Sequence, residues 1–268
     1  MKNCILKICG VFSLLLLLFF SQSPGRSFNF IVMPPIVEEK YKSGSMSKIN
    51  LTVHNNDSSP LTLLLSTADL TMDLQGKAGI AERHDETFSC KEWFVLPSPR
   101  IVIAPNAQVP IPIGIQAPYG AFGGKYGIIL LQTELKPRAA DEVTLLGQTG
   151  TIFLLESAGQ KKRSAIIRDV KMTILKAEEV QFHVLVHNDG NVHFRAKGYV
   201  LIKNHLDKIV DRAPLQVGTG LVLPAHDRLF QAKWNNKRKM AAGEYRAIVN
   251  VQIPGVAKTL QKAISFAI

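Results

Sequence analysis

The sequence predicts an all-β protein of two tandem immunoglobulin-like β-sandwich domains that follow a cleaved signal peptide. Three observations lead to this prediction: an apolar leader, a sequence pattern that occurs twice, and many short β-rich runs separated by Pro, Gly, Asn and Asp. Helical periodicity is almost absent outside the leader. Short strands with frequent turn signals are typical of a sandwich or a barrel.

Residues 1–27 have the composition of an export signal. Lys2 and Lys7 form a short basic region, residues 8–20 are apolar, and small or turn-forming residues follow up to Ser27. The apolar run is too short for a comfortable membrane span. We predict cleavage after Ser27 and a periplasmic or secreted product, residues 28–268, with no transmembrane segment.

The processed chain remains basic. The whole sequence has a formal net charge of +11, and the leader carries Lys2, Lys7 and Arg26 with no acidic residue, which leaves 11 − 3 = +8. A basic exported protein is attracted to anionic envelope polymers, lipid head groups or acidic partners. The basic clusters 161–163 and 237–239 lie in predicted turns without interleaved aromatic residues, so nucleic acid is not a predicted partner.

The chain contains the same β-strand pattern twice. Residues 46–55 and residues 180–188 both end in Val-His-Asn, and an Asp-containing turn follows each of them. Apolar and polar residues alternate along both runs. Alternation of this kind predicts a strand with one buried face.

A second match lies downstream in each half. Pro105 precedes Tyr126 by 21 positions, and Pro224 precedes Tyr245 by the same 21 positions. Each tyrosine follows a Gly-x pair at the start of a predicted strand. This pattern predicts a tyrosine corner, in which the hydroxyl bonds to nearby backbone and the glycine permits the turn.

These matches predict two domains, residues 28–157 and residues 164–268. The small and polar residues 157–163 form the predicted linker between them. The first half is longer because of an excursion over residues 69–93. Residues 135–150 are a predicted long loop before the last strand of domain one, residues 151–155.

No constellation of an active site is present. His183 and His187 are four residues apart, which on a strand means about 13 Å, too far for one tetrahedral zinc together with His193. His187 also matches His54 in the other half. We therefore predict framework histidines and expect neither a metal, nor another cofactor, nor enzymatic activity.

Two smaller candidates also receive structural interpretations. Asp69, Asp73 and Gly76 lack the ligand spacing of an EF-hand loop, and we predict a hairpin turn there instead. Cys90 is the one cysteine left after processing, so it cannot form an internal disulfide, and no base stands beside it in the sequence. It is a predicted structural cysteine, half-buried.

Several of these segments resemble a known family. Residues 49–57, 93–97 and 100–112 are similar to the N-terminal domain of bacterial pilus-assembly chaperones and of Gram-positive WxL-interacting surface proteins. Residues 186–193 and 223–245 resemble the second domain of the latter group. The resemblance extends over the processed chain and implies two immunoglobulin-like domains.

For pilus chaperones, the resemblance implies that the last strand of domain one is lent to a partner subunit by β-strand addition. In this chain, that strand is the predicted partner-binding edge strand, with Ile152 and Leu154 facing the partner, or Phe153 and Leu155 in the other register. The residues of this segment are Thr151, Ile152, Phe153, Leu154 and Leu155.

Those chaperones anchor the terminal carboxylate of the subunit with an arginine from the first strand and a lysine from the last. The first predicted strand, residues 28–37, contains no arginine, and residues 151–155 contain no lysine. No anchor residues are therefore assigned.

The predicted function is that of a non-enzymatic, chaperone-like adaptor that binds another exported protein, such as a pilus or surface subunit. The alternative is a cell-envelope or surface structural protein that binds peptidoglycan or another anionic wall polymer. Salt separates the two, because charge-driven binding weakens with ionic strength. Leu154→Asp is expected to abolish binding of a partner protein.

Overall fold

The computed structural model describes residues 29–134, 147–176, 179–235 and 242–268. The predicted leader, residues 1–27, and residues 135–146 of the predicted long loop lie outside this part of the chain. Within it, no helix is long and apolar enough to cross a bilayer. The strands of the first sandwich are β1 (Phe30–Met33), β2 (Ile36–Tyr41), β3 (Met46–Asn55), β4 (Leu61–Ala68), β5 (Leu70–Met72), β6 (Ala78–Ile80), β7 (Phe94–Val95), β8 (Arg100–Ile103), β9 (Gln108–Gln116), β10 (Gly124–Thr133) and β11 (Gln148–Ser157).

The first sandwich consists of a four-stranded sheet, in the order β1-β3-β9-β7, and a five-stranded sheet, in the order β2-β11-β10-β4-β8. The chain passes from the first sheet to the second at Pro34 and Pro35. The single first strand predicted over residues 28–37 is therefore wrong, because a proline cannot donate a ladder hydrogen bond and two in succession interrupt the strand.

The inward-facing side chains of both sheets form the core of the first sandwich. Leu51, Leu63, Ile113 and Ile129 are fully buried within it. Cys90 is also fully buried there, and burial raises the pKa of its thiol. An uncharged thiol in apolar surroundings is the inert, structural kind.

The second sandwich contains one long, curved sheet in the order β12-β13-β18-β16-β15-β19-β20 and a short pair, β14 and β17. Strand β16 pairs with β15 along most of its length and with β18 at its end, so it connects the two layers. These strands are β12 (Ala165–Lys176), β13 (Glu179–Asn188), β14 (Phe194–Arg195), β15 (Lys197–Asn204), β16 (Ile209–Gln216), β17 (Leu221–Val222), β18 (Asp227–Asn235), β19 (Glu244–Gln252) and β20 (Leu260–Ala267).

Phe182, Phe230 and Trp234 are the largest side chains buried between these layers. The structure confirms the predicted fold class, all-β with tandem immunoglobulin-like sandwiches. The domain limits 28–157 and 164–268 remain a prediction.

The internal repeat extends to individual hydrogen bonds. Asn55 ends β3 and Asn188 ends β13, and both are completely buried. The Asn55 amide donates to carbonyls of Ser59 and Ala104, and the Asn188 amide donates to those of Val192 and Val222. In both positions, the side-chain oxygen accepts a main-chain N–H two residues later. Each asparagine thus satisfies buried backbone groups at the same turn of the sandwich.

Candidate functional site

The five-stranded sheet is apolar on both faces. Along β11, Phe153 and Leu155 point into the sandwich core, whereas Ile152 and Leu154 point to the outer face. Strands β10 and β4 follow the same rule, because successive side chains of a strand alternate between faces. A soluble sandwich normally has a polar outer face, so this face requires a covering.

The second sandwich covers one end of this outer face. Tyr126 and Leu154 of the sheet pack in one apolar cluster with Leu221 and Leu223 of the second sandwich, and Leu154 is completely buried. Domain two thus provides part of the covering that the outer face requires.

The other end of the outer face remains accessible. Its side chains are aligned across the sheet by the pairing of β2, β11, β10, β4 and β8. Val102 is 58% exposed and Leu64 is 37% exposed, while the other three members are partly buried. We call this surface the open apolar face, formed by Ile36, Leu64, Val102, Leu130 and Ile152.

Strand β11 is covered along most of its length, which corrects the prediction of an edge strand over residues 151–155. Strand β2 pairs with it in parallel from Ile152 to Ser157. The Ile152 N–H donates to the Pro35 carbonyl at 3.0 Å, and the Thr151 hydroxyl donates to the Pro34 carbonyl at 3.0 Å. The prediction failed because the first strand of the chain folds back onto the last, a pairing that local sequence does not show.

The accessible part of this edge lies just before the predicted segment. Gln148 and Gly150 pair with β10 on one side, but β2 ends before it reaches them. Along a strand, the backbone groups of every second residue point to the same side. The N–H and C=O groups of Gln148 and Gly150 therefore point away from β10, as those of Ile152 do. In the described part of the chain, these outward groups have no backbone partner. We call residues 148–150 the open edge.

Gly150 lies where the open edge meets the open apolar face. A Cβ at this position would lie 2.8 Å from Cγ2 of Ile128 and 3.2 Å from Cδ2 of Leu130. Those two side chains therefore occupy the space that a side chain at position 150 would take. Glycine is therefore required at this position because the sheet's own side chains fill the space.

The two registers left open by the sequence are now distinguished. Phe153 and Leu155 fill the core, while Ile152 and Leu154 face outward. Thr151 is buried between them on the core side. Because Leu154 lies beneath domain two, Leu154→Asp would disrupt the contact between the sandwiches and does not isolate partner binding.

Tyr126 joins the two sandwiches, which corrects the predicted tyrosine corner. Its hydroxyl accepts the main-chain N–H of His193 at 2.7 Å and lies 3.3 Å from the Nδ1 atom of the same residue. A side chain on Gly124 would collide with this hydroxyl. Gly124 of the Gly-x-Tyr motif therefore leaves space for the Tyr126 side chain. It lies within β10 and does not form the predicted turn.

The excursion that lengthens the first half forms a brace between the sandwiches. Strands β5 and β6 form a hairpin with its turn at Asp73 and Gly76, as predicted. At its tip, the Leu74 carbonyl accepts the Leu229 N–H at 2.8 Å and Nη1 of Arg228 at 3.0 Å. The hairpin thus fixes domain two against domain one.

A charged cleft of about 450 Å³ lies between the sandwiches. The carboxylate of Glu156 accepts hydrogen bonds from Lys161, at 2.8 Å, and from Arg163. Burial raises the pKa of Glu156, but these two cations outweigh it and hold that pKa below its ordinary value. The cleft therefore contains an ion cluster in which one carboxylate is paired with two cations.

The histidines do not converge on one site. His187 lies on β13 and contacts Asp227 at 2.9 Å, and His183 is four residues earlier on the same strand. His193 is buried at the contact with Tyr126. The two repeated framework positions, His54 and His187, are each the last residue but one of their strand, β3 or β13.

Sequence reasoning missed most of the open apolar face, although a signal was present. Strands β4, β10 and β11 contain unbroken apolar runs, at residues 63–65, 128–131 and 152–155. Such runs indicate strands that are apolar on both faces. The contributions of Ile36 and Val102 depend on tertiary pairing.

No family model matches this chain, and no curated protein matches it. The chain is similar to solved structures of fimbrial chaperones. The class 5 fimbriae chaperone CfaA is 12% identical, with 88% of this chain and 98% of that chain covered and a TM-score of 0.47. The E. coli chaperone DraB is 14% identical, with coverage of 88% and 98% and a TM-score of 0.41. A chain of the Salmonella enterica SafA pilin–SafB chaperone complex is 14% identical, with coverage of 89% and 98% and a TM-score of 0.42.

Proposed function

We propose that this chain is a non-enzymatic, exported adaptor that holds another exported protein by strand addition. The observation that carries the proposal is that the open edge borders the open apolar face of the same sheet. Backbone groups at the open edge provide hydrogen bonds, and the adjacent face accepts every second side chain of the added strand.

The geometry suits an extended segment with alternating apolar side chains. A strand that continues the line of β2 would pair with Gln148 and Gly150. Those of its side chains that point to the open apolar face would lie against Leu130 and Ile152. The sequence resemblance to pilus-assembly chaperones suggests a pilus-type or surface subunit as the partner. Export through the predicted leader would bring the two proteins together outside the cytoplasm.

Affinity capture in the native host tests this proposal. The tagged chain is expressed with its own leader, and the co-purifying proteins are identified by mass spectrometry at low and high salt. Ile152→Asp and Val102→Asp place a charge on the open apolar face. Ile166→Asp is the matched control, because Ile166 is 48% exposed on β12 of the other sandwich.

We expect one exported protein in stoichiometric amount at both salt concentrations, with at least a tenfold loss for Ile152→Asp, a smaller loss for Val102→Asp, which lies three strands from β11, and no loss for the control. Val102 lies on β8, at the opposite edge of the sheet from β2, so a loss as large as that of Ile152→Asp would indicate a partner contact wider than one added strand. Equal capture by all variants would contradict the proposal. Cell-wall material that is released at high salt would instead favour the envelope-binding alternative.

A further inference from the structure

A second exposed surface lies at the end of the first sandwich where three loops meet. Main-chain hydrogen bonds join these loops: Gly44 donates to Pro118 at 3.1 Å, and Gly123 donates to Gln160 at 3.2 Å. Backbone bonds of this kind hold the loops in one arrangement. The loops are residues 42–45, residues 117–123 and residues 158–162.

Large apolar side chains project from these loops into solvent. Tyr119 is 92% exposed and Phe122 is 58% exposed, both on the loop of residues 117–123. The Tyr119 ring lies over Gly44, where any Cβ would collide with it. Hydrogen-bonded loops thus hold two aromatic rings in water, an arrangement that marks an interaction surface.

The same loops are positively charged. They contain Lys42, Lys161 and Lys162 and no aspartate or glutamate. Lys161 is paired with Glu156, but Lys42 and Lys162 are exposed and form no ion pair within the described residues. We call this set of loops the aromatic–lysine surface.

We infer that the aromatic–lysine surface binds the head-group region of an anionic phospholipid bilayer. Aromatic side chains favour the membrane–water interface, and exposed lysines are attracted to anionic lipid. A bilayer admits protruding rings without a shaped pocket, whereas a folded acidic protein would need pockets complementary to the two exposed rings. The inference goes beyond partner binding, because this surface is separate from the open edge and the open apolar face.

Vesicle co-sedimentation tests the inference with the chain recovered after export, once mass spectrometry has verified loss of the apolar leader. Vesicles of phosphatidylethanolamine and phosphatidylglycerol are compared with vesicles of phosphatidylcholine. Tyr119→Ser/Phe122→Ser removes the rings, and Lys42→Gln/Lys162→Gln removes the unpaired charges. Leu206→Ser/Ile209→Ser is the matched control, because these residues are 62% and 65% exposed on a hairpin of domain two.

We expect binding to the anionic vesicles that weakens with salt, at least a tenfold loss for each surface variant, and no loss for the control. Absence of binding to anionic vesicles at low salt would overturn the inference, as would an equal loss in the control variant. Binding to a poly-glutamate resin without binding to vesicles would also overturn it and would assign the surface to an acidic protein.

Discussion

The hydroxyl of Tyr126, in the first sandwich, accepts the main-chain N–H of His193, in the second, at 2.7 Å. Both residues are buried, and their rings meet edge to face with centroids 5.7 Å apart. A buried N–H must be bonded, so this single contact links the folding of one sandwich to the placement of the other. It also closes one end of the face that we propose for partner binding.

Removal of this hydroxyl is expected to destabilise the chain. Tyr126→Phe leaves the His193 N–H buried without an acceptor, which costs about 1–3 kcal/mol. Urea unfolding measures the change. Tyr119→Phe, at a position that is 92% exposed, is the control and should leave the unfolding midpoint unchanged. Equal stability of Tyr126→Phe and the wild type would contradict the role of the contact.

Stability is expected to fall in mildly acidic solution because of His193. Burial lowers its pKa from the ordinary 6.5, which outweighs the opposing effect of Glu38 and Glu156, and Arg195 and Arg163 lower it further. The unfolded chain therefore binds the proton more readily than the folded chain. The stabilisation is complete above about pH 6.5 and is lost as the pH falls through the lowered pKa.

Urea midpoints between pH 7.5 and pH 5.5 check this dependence. The ordinary pKa values of Asp69 and Glu156, 3.8 and 4.5, are lowered in the folded chain, so their contributions are lost only at more acidic pH. The His193→Gln variant should show a flatter profile than the wild type over this range. Identical profiles would rule out His193 as the cause.

The brace between the sandwiches is tested at Gly76. This residue has φ of +79°, and a Cβ would collide with the guanidinium of Arg228. Gly120 has φ of +81° and nothing within 4 Å of the same position. Both alanine variants incur about 1 kcal/mol of backbone strain, but only Gly76→Ala disturbs the domain contact. We expect the larger fall in thermal midpoint for Gly76→Ala, and equal falls would count against the brace.

The open edge is tested separately from the open face by a proline. Gln148→Pro removes an N–H that points away from β10, so it should weaken strand addition while the ladder to β10 is kept. Gln148→Ala retains the N–H and is the control. We expect a loss of partner affinity of about tenfold, close to one hydrogen bond. Titration calorimetry with the captured partner gives the two affinities, and equal values would exclude the edge.

The sequence was most informative where local pattern determines structure. The alternation over residues 46–55 predicted β3, and the run over residues 100–103 predicted β8 with the same limits. The Val-His-Asn repeat marked Asn55 and Asn188, which make equivalent buried hydrogen bonds. Each of these features is marked by residues close together in the chain, although the two asparagine amides bond to carbonyls 49 and 34 positions away.

The features that failed depend on distant parts of the chain. The edge predicted over residues 151–155 is covered by β2, more than 100 residues earlier, and the Tyr126 hydroxyl finds its partner 67 residues away. The long excursion over residues 69–93 was recognised by its length, but its docking on Arg228 was not. Tertiary pairing of this kind leaves no local periodicity to detect.

The central claim, strand addition at the open edge, is tested most directly by amide hydrogen exchange at Gln148 and Gly150 with and without the captured partner. These N–H groups point away from β10 and have no backbone partner among the described residues. The account predicts that both amides become strongly protected in the complex, while exposed amides of β12 in domain two do not change. Unchanged exchange at both residues in a saturated complex would contradict strand addition.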